Sequence, residues 1–132
     1  MKQDQNWLAE MESRRRDDEP SPGQEMAALM RRTDEVLKGL SPKDGAKLRE
    51  LSAGWRELVL AGYALSCGYA PHTADGVGEL LTGAPEGAAW RVENLRLIRA
   101  AEALASTVPE ALPLSDRWDD LCTLALVLGQ RR

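Results

Sequence analysis

The sequence has no phenylalanine, only two tyrosines and few β-branched residues, and four tryptophans supply most of its aromatic bulk. The β-branched residues never alternate with polar ones in the way that a half-buried strand requires. Leucine, alanine, methionine, glutamate and arginine are plentiful instead, and all of them favour helices. The composition therefore predicts an all-α fold.

The chain also lacks an excess of positive charge and any long apolar run. Its net charge is −4 and its pI is about 5.1, whereas domains that bind duplex DNA are normally basic. No apolar stretch approaches the roughly 20 residues that a membrane helix needs, and residues 1–6 are too polar for a signal peptide. We therefore expect a cytoplasmic protein without membrane contact, and nucleic-acid binding is disfavoured.

Residues that carry chemistry are scarce. His72 is the single histidine, and it has no serine or cysteine nucleophile pattern beside it. Cys67 and Cys122 lie in apolar helical stretches without a second pair of ligands that would complete a tetrahedral metal site. We predict that both cysteines are small buried side chains and that the protein has no cofactor.

Three aspartates are the one candidate for a metal site. Asp116, Asp119 and Asp120 are spaced so that their carboxylates share one helix face and could converge on magnesium. The alternative is the acidic N-terminal turn of a helix, where carboxylates favour the helix dipole. We favour the second interpretation, and with it the prediction that the protein is not an enzyme and holds no metal.

The N-terminal segment differs from the rest of the chain. Residues 4–16 predict a short helix with Trp7, Leu8 and Met11 on one side. Residues 17–23 are charged and proline-rich, which indicates a flexible linker. We therefore divide the chain into an N-terminal helix and linker over residues 1–23 and a single α-helical domain over residues 24–132.

A helical hairpin is predicted next. A stripe at helical spacing runs through residues 24–40, and Ser41 with Pro42 gives a strong helix start shortly after it. The following helix, to about residue 67, has apolar or small residues at alternating spacings of three and four, as in a coiled-coil seam. The stripe consists of Met26, Leu29, Met30, Thr33, Leu37 and Leu40, and the seam of Leu48, Leu51, Trp55, Leu58, Gly62 and Leu65.

Further helices are predicted over residues 72–81, 88–106 and 116–129, the last with Ser115 as its cap, so that the hairpin and the helices after it number about five. The last helix is apolar nearly all round. Such a helix is buried on several sides, either within the chain or against a partner.

The tryptophans and their neighbours are the candidate contacts with another protein. Tryptophan is the residue most enriched at interface hot spots, although each one here is equally compatible with a core position. The predicted partner-binding residues are Trp7, Leu8, Met11, Trp55, Leu58, Trp90 and Trp118.

Part of the chain resembles a known family. Six residues are separated as in one tetratricopeptide (TPR) unit, a pair of helices that ends at proline: Leu60, Ala61, Gly68, Val77, Leu80 and Pro85. Together with residues 87–104 and 118–129, this stretch is similar to the short TPR-like chaperones of bacterial type III secretion, which hold a secreted or export component in the cytosol. The resemblance implies TPR-like helix pairs whose concave surface grips an amphipathic helix of the client.

The function that follows is a protein-binding adaptor or chaperone that buries an amphipathic helix of a partner. The alternative is a dimeric helical transcriptional regulator or nucleic-acid-associated protein, formed through the long seam helix.

Overall fold

The computed structural model describes residues 2–67 and 88–131, and over these residues the protein consists of five helices without a strand. The helices are α1 (Lys2–Arg14), α2 (Pro22–Leu37), α3 (Pro42–Cys67), α4 (Ala88–Leu104) and α5 (Ala111–Gln130). The prediction of an all-α fold is confirmed. The predicted helix over residues 72–81, with His72 and most of the TPR-like unit, lies outside the described residues.

Helix α2 begins two residues earlier than the stripe predicts. Ser21 is its cap and accepts a hydrogen bond from the Gln24 N–H at 3.2 Å, and Pro22 occupies the first turn, where its missing N–H is harmless. Its buried face includes Val36, whereas Met30 is 44% exposed. The predicted stripe was wrong at Met30. The buried positions are Met26, Leu29, Thr33 and Val36, spaced three, four and three residues apart, and Met30 lies at the edge of this face.

Helix α3 is buried differently along its length. Ser41 caps its start by accepting from the Asp44 N–H at 3.2 Å. The predicted seam is buried from Leu48 to Gly62, and Leu65 is partly buried. Beyond Leu58, however, every side of the helix is enclosed as far as Ala64. The C-terminal half of α3 is therefore part of the core, whereas the N-terminal half buries only one face.

Helix α5 is the central element and contacts each of the other four helices. The prediction that it is buried on several sides was wrong, because its buried residues share one broad face and the opposite face, which includes Leu112 and Val127, is exposed. It begins at Ala111 rather than after Ser115, which lies inside the helix and is buried. Pro113 does not interrupt it, because the first N–H groups of a helix have no intrahelical partner.

Helix α1 packs against α2, α3 and α5. Trp7 and Met11 are fully buried and belong to the same hydrophobic core as the central helices. The sequence divides the chain at residue 23, whereas the structure packs α1 into the domain. Residues of the predicted linker are tied down as well, since Glu19 bonds Arg131 and Gly23 donates to Glu12 at 3.0 Å.

Candidate partner-binding groove

A concave surface with a volume of about 550 Å³ forms a groove between the N-terminal half of α3 and the C-terminal half of α4. We call it the α3–α4 groove. On α3 its lining extends from Ser41 to Leu51, a rise of about 15 Å at 1.5 Å per residue. On the opposite side the lining extends from Arg96 to Thr107. The groove is thus elongated and about as long as three helical turns.

The floor of the groove is apolar. Leu51, Leu97 and Leu104 are buried beneath it, and Ala100 and Ala103 line the α4 side with short side chains. The alanines keep the groove open, because a larger residue at either position would fill it. A floor of this kind accepts apolar side chains rather than polar ligands.

The polar groups in the lining are largely engaged. The hydroxyls of Ser106 and Thr107 donate to carbonyls of their own helix end, at 2.9 Å and 3.3 Å. The Arg96 guanidinium donates to Glu93 at 3.0 Å, and this pairing raises the pKa of Arg96. The negative charge of Glu50 also contributes to raising the pKa of Arg96. Few polar groups are left to orient a small polar ligand.

Two lysines form the exception. Lys43 and Lys47 are one helical turn apart on the α3 side, and both side chains are exposed. None of the ion pairs formed among the described residues includes either lysine. The neighbouring Asp44 lies in the first turn of α3, where the helix dipole favours its charge. The α3 rim therefore carries two lysines that form no ion pair with another described residue, and the carboxylates of Asp44 and Glu50 lie on the same rim.

The seven residues predicted to contact a partner lie elsewhere. Six of them are buried within the protein's own core, and Leu8 is partly buried against it. The Trp55 and Trp118 rings stack between α3 and α5 with centroids 6.2 Å apart, and the Trp90 indole N–H donates to the Leu58 carbonyl at 2.8 Å. Contact between these side chains and a partner stays a prediction, and this conformation does not present them.

The three aspartates do not form a pocket. Asp116, Asp119 and Asp120 are exposed along α5, with Asp120 at the edge of a small cleft that Arg117 also lines. Within residues 2–67 and 88–131 no group of three or more side chains of the metal-binding types is placed to hold an ion. The same residues include no helix long and apolar enough to cross a membrane.

A polar cluster that the sequence did not reveal ties the chain ends together. We call it the Arg14 clasp, and it joins Arg14, Glu19, Cys67 and Arg131. The Arg14 guanidinium donates to the Cys67 Sγ at 3.1 Å and to the Gly129 carbonyl at 3.3 Å. Arg131 donates to the Arg14 carbonyl at 3.2 Å and to Glu19 at 2.7 Å.

The clasp places a cation where two helices end. Carbonyl groups at a helix C-terminus have no intrahelical partner and carry partial negative charge, so a guanidinium stabilises them. Arg14 also lies over the Tyr63 ring, 5.4 Å from its centroid. The sequence signal for this role of Arg14 was its position seven residues after Trp7, on the same helix face as Met11. Arg14 to Arg16 nevertheless resemble a run of solvated charges.

Cys67 was expected to be a buried small side chain, but it is only partly buried and accepts the Arg14 hydrogen bond. Cys122 is buried as expected, and this burial raises the pKa of its thiol to about 12.

Comparison with known proteins finds no matching family model, no similar curated protein and no similar solved structure.

Proposed function

We propose that this protein is an adaptor or chaperone that binds an amphipathic helix of another protein in the α3–α4 groove. The observation that carries the proposal is the combination of an elongated apolar floor with two lysines on one rim that form no ion pair within residues 2–67 and 88–131. A helix of about three turns fits the length of the groove, and its apolar face would cover the alanines and leucines of the floor.

The charges along the groove determine which charged residues the partner helix carries at its edge. Arg96 already donates to Glu93, whereas Lys43 and Lys47 are in no ion pair of the described part of the chain. Acidic residues one turn apart along one edge of the partner helix would pair with these two lysines. Exposed charge pairs contribute more to association rate and register than to affinity, so the apolar floor supplies most of the binding energy.

The resemblance to type III secretion chaperones adds two elements to the proposal. The client would be a secreted or export component with an amphipathic helix, and the two proteins would meet in the bacterial cytoplasm. The elongated groove without a free polar group at its floor favours this binding role over an enzymatic one.

Blocking the groove tests the proposal. In the host cell, tagged protein should co-purify with a stoichiometric partner, and Ala103→Trp should remove at least about nine tenths of that partner by filling the floor. Ala27→Trp, at an exposed position on α2, is the matched control and should retain it. Equal recovery with both variants would contradict binding in this groove.

Reversing the rim charges tests the chemistry of the partner. Lys43→Glu combined with Lys47→Glu should slow association by about tenfold at low salt, and the difference should shrink as salt is raised. Lys38→Glu, at the end of α2, should leave the rate unchanged. If the double reversal does not change the association rate, the partner helix has no acidic edge that pairs with Lys43 and Lys47.

A further inference from the structure

Among the described side chains of α1, Trp7 and Met11 are buried in the core, and Glu12 and Arg14 form hydrogen bonds with other parts of the protein. Trp7, Met11 and Arg14 occupy positions i, i+4 and i+7 of the helix, and Leu8 adds a partly buried side chain. This spacing is the one by which an amphipathic helix inserts into a groove of another protein. The remaining described side chains of α1 are exposed or half-buried.

The surface beneath α1 receives these anchors in two ways. Trp7 and Met11 enter the core, where they are 2% and 0% exposed. Arg14 lies over Tyr63 and donates to the ends of α3 and α5. The surface thus offers apolar space for an aromatic and an aliphatic side chain, followed by carbonyl acceptors for a cation.

Helix α1 is too short to be stable by itself. It has 13 residues and a polar composition, and isolated helices of this length are marginal in water. Residues 15–21 connect it to α2, so its docking is favoured by its high effective concentration near the surface. Its docking therefore depends on contacts with the rest of the protein, as that of a bound peptide does, and Trp7, Met11 and Arg14 are the anchors that reach α3 and α5.

We propose that the surface of α2, α3 and α5 beneath α1 is a second helix-docking site, and that α1 is its resident ligand. A partner helix with an aromatic residue, an aliphatic residue four positions later and an arginine three positions after that displaces α1. This site lies at the C-terminal ends of α3 and α5, so the proposal does not depend on the α3–α4 groove.

The test uses the full chain and a labelled peptide of residues 2–16. In wild-type protein the tethered α1 competes with the peptide, whereas Trp7→Ala weakens only the tethered competitor. We expect the peptide to bind the Trp7→Ala protein at least about tenfold more tightly than wild type, as measured by fluorescence anisotropy. A peptide that itself carries Trp7→Ala should not bind.

The thiol of Cys67 reports the same exchange. Once α1 leaves, Arg14 no longer contacts Cys67, so a thiol reagent should label Cys67 severalfold faster in the Trp7→Ala protein, and added peptide should restore the slow rate. Cys122 is buried in the core and should stay unlabelled in every folded sample.

Met11→Ala provides a second variant, and circular dichroism shows whether each variant is folded. If a folded variant does not bind the peptide, or binds it no more tightly than wild type, the proposal is overturned. If both variants unfold, α1 is an integral part of the fold and the proposal is equally overturned.

Discussion

The two halves of α3 show how residue size decides whether a helix is enclosed or leaves a surface open. From Leu58 to Ala64 the helix includes Ala61, Gly62 and Ala64. Side chains of α4 and α5 pack against Gly62 and Arg14 of α1 lies over Tyr63, so every side of this stretch is buried. From Ser41 to Leu51 its buried leucines alternate with charged residues, and a groove remains beside α4. Small residues allow close packing, and charged residues keep part of the same helix in contact with solvent.

Enlarging a residue of α5 that packs against the C-terminal half of α3 should have the largest effect. A Cβ on Gly129 would lie 2.5 Å from the Ser66 Cβ and 2.8 Å from the Tyr63 carbonyl oxygen, and a backbone atom cannot move aside cheaply. We expect Gly129→Ala to lower the free energy of unfolding by about 3 kcal/mol, measured by urea denaturation.

Gly39→Ala is the matched control, because a Cβ there meets only the Val36 carbonyl at 3.9 Å. It should change stability by less than about 1 kcal/mol, in the stabilising direction. Similar destabilisation by both substitutions would show that close approach of α3 and α5 is not what holds the enclosed half together.

Two buried tryptophans, Trp90 and Trp118, should differ in how much stability the protein loses when the indole N–H is removed. Trp90 donates to the Leu58 carbonyl, whereas the buried Trp118 Nε1 has no hydrogen-bond partner among the described residues. Replacing either indole by the isosteric benzothiophene keeps the shape and removes the donor. We expect a loss of about 1 kcal/mol at position 90 and no loss, or a gain, at position 118.

Thermal melts of the two benzothiophene proteins check this expectation. An equal loss at both positions would mean that Trp118 donates to a group, such as an ordered water, that offsets its burial.

Acid should weaken the Arg14 clasp before it affects the apolar core. The hydrogen bond from Arg131 is the main cause that lowers the pKa of Glu19 to about 2, against an ordinary value near 4.3 to 4.5. Because the folded-state pKa is the lower one, the pair stabilises the protein fully above about pH 4.5 and loses this effect as pH falls towards 2.

The melting temperature of wild type relative to Glu19→Gln, measured across that pH window, isolates the contribution of this pair. The difference should be constant above about pH 5 and should disappear near pH 2. A difference that does not change with pH would contradict the pairing.

The smallest effect is expected at an exposed ion pair. Arg32 and Glu35 on α2 are 3.2 Å apart, and both side chains are more than half exposed. We expect Arg32→Ala to change stability by no more than about 0.5 kcal/mol. A larger loss in denaturant titration would show that surface charge contributes to α2 in a way that this structure does not explain.

The elements of the fold were largely predictable from spacing, but the surfaces were not. Capping by Ser41 and the seam of α3 depend on residues close in sequence, and both predictions are confirmed. Trp7 and Trp118 were ambiguous because tryptophan suits a core and an interface equally well. The α3–α4 groove depends on the distance between two helices that are far apart in sequence, and local pattern does not encode that distance.

The Arg14 clasp was missed for a related reason. Arg14 begins a run of three arginines that acidic residues follow, which is typical of a solvated surface. Its partners are contributed by the ends of α3 and α5, and a single sequence gives no indication that these ends meet.

The most direct test of the α3–α4 groove is site-specific photocrosslinking in the host cell. A benzophenone side chain at Ala103 should crosslink to one partner protein, and the crosslinked peptide should be an amphipathic helix with acidic residues along one edge. The same probe at Ala27 should not capture that protein. Crosslinks of equal yield from both positions, or a partner captured only from Ala27, would contradict the account.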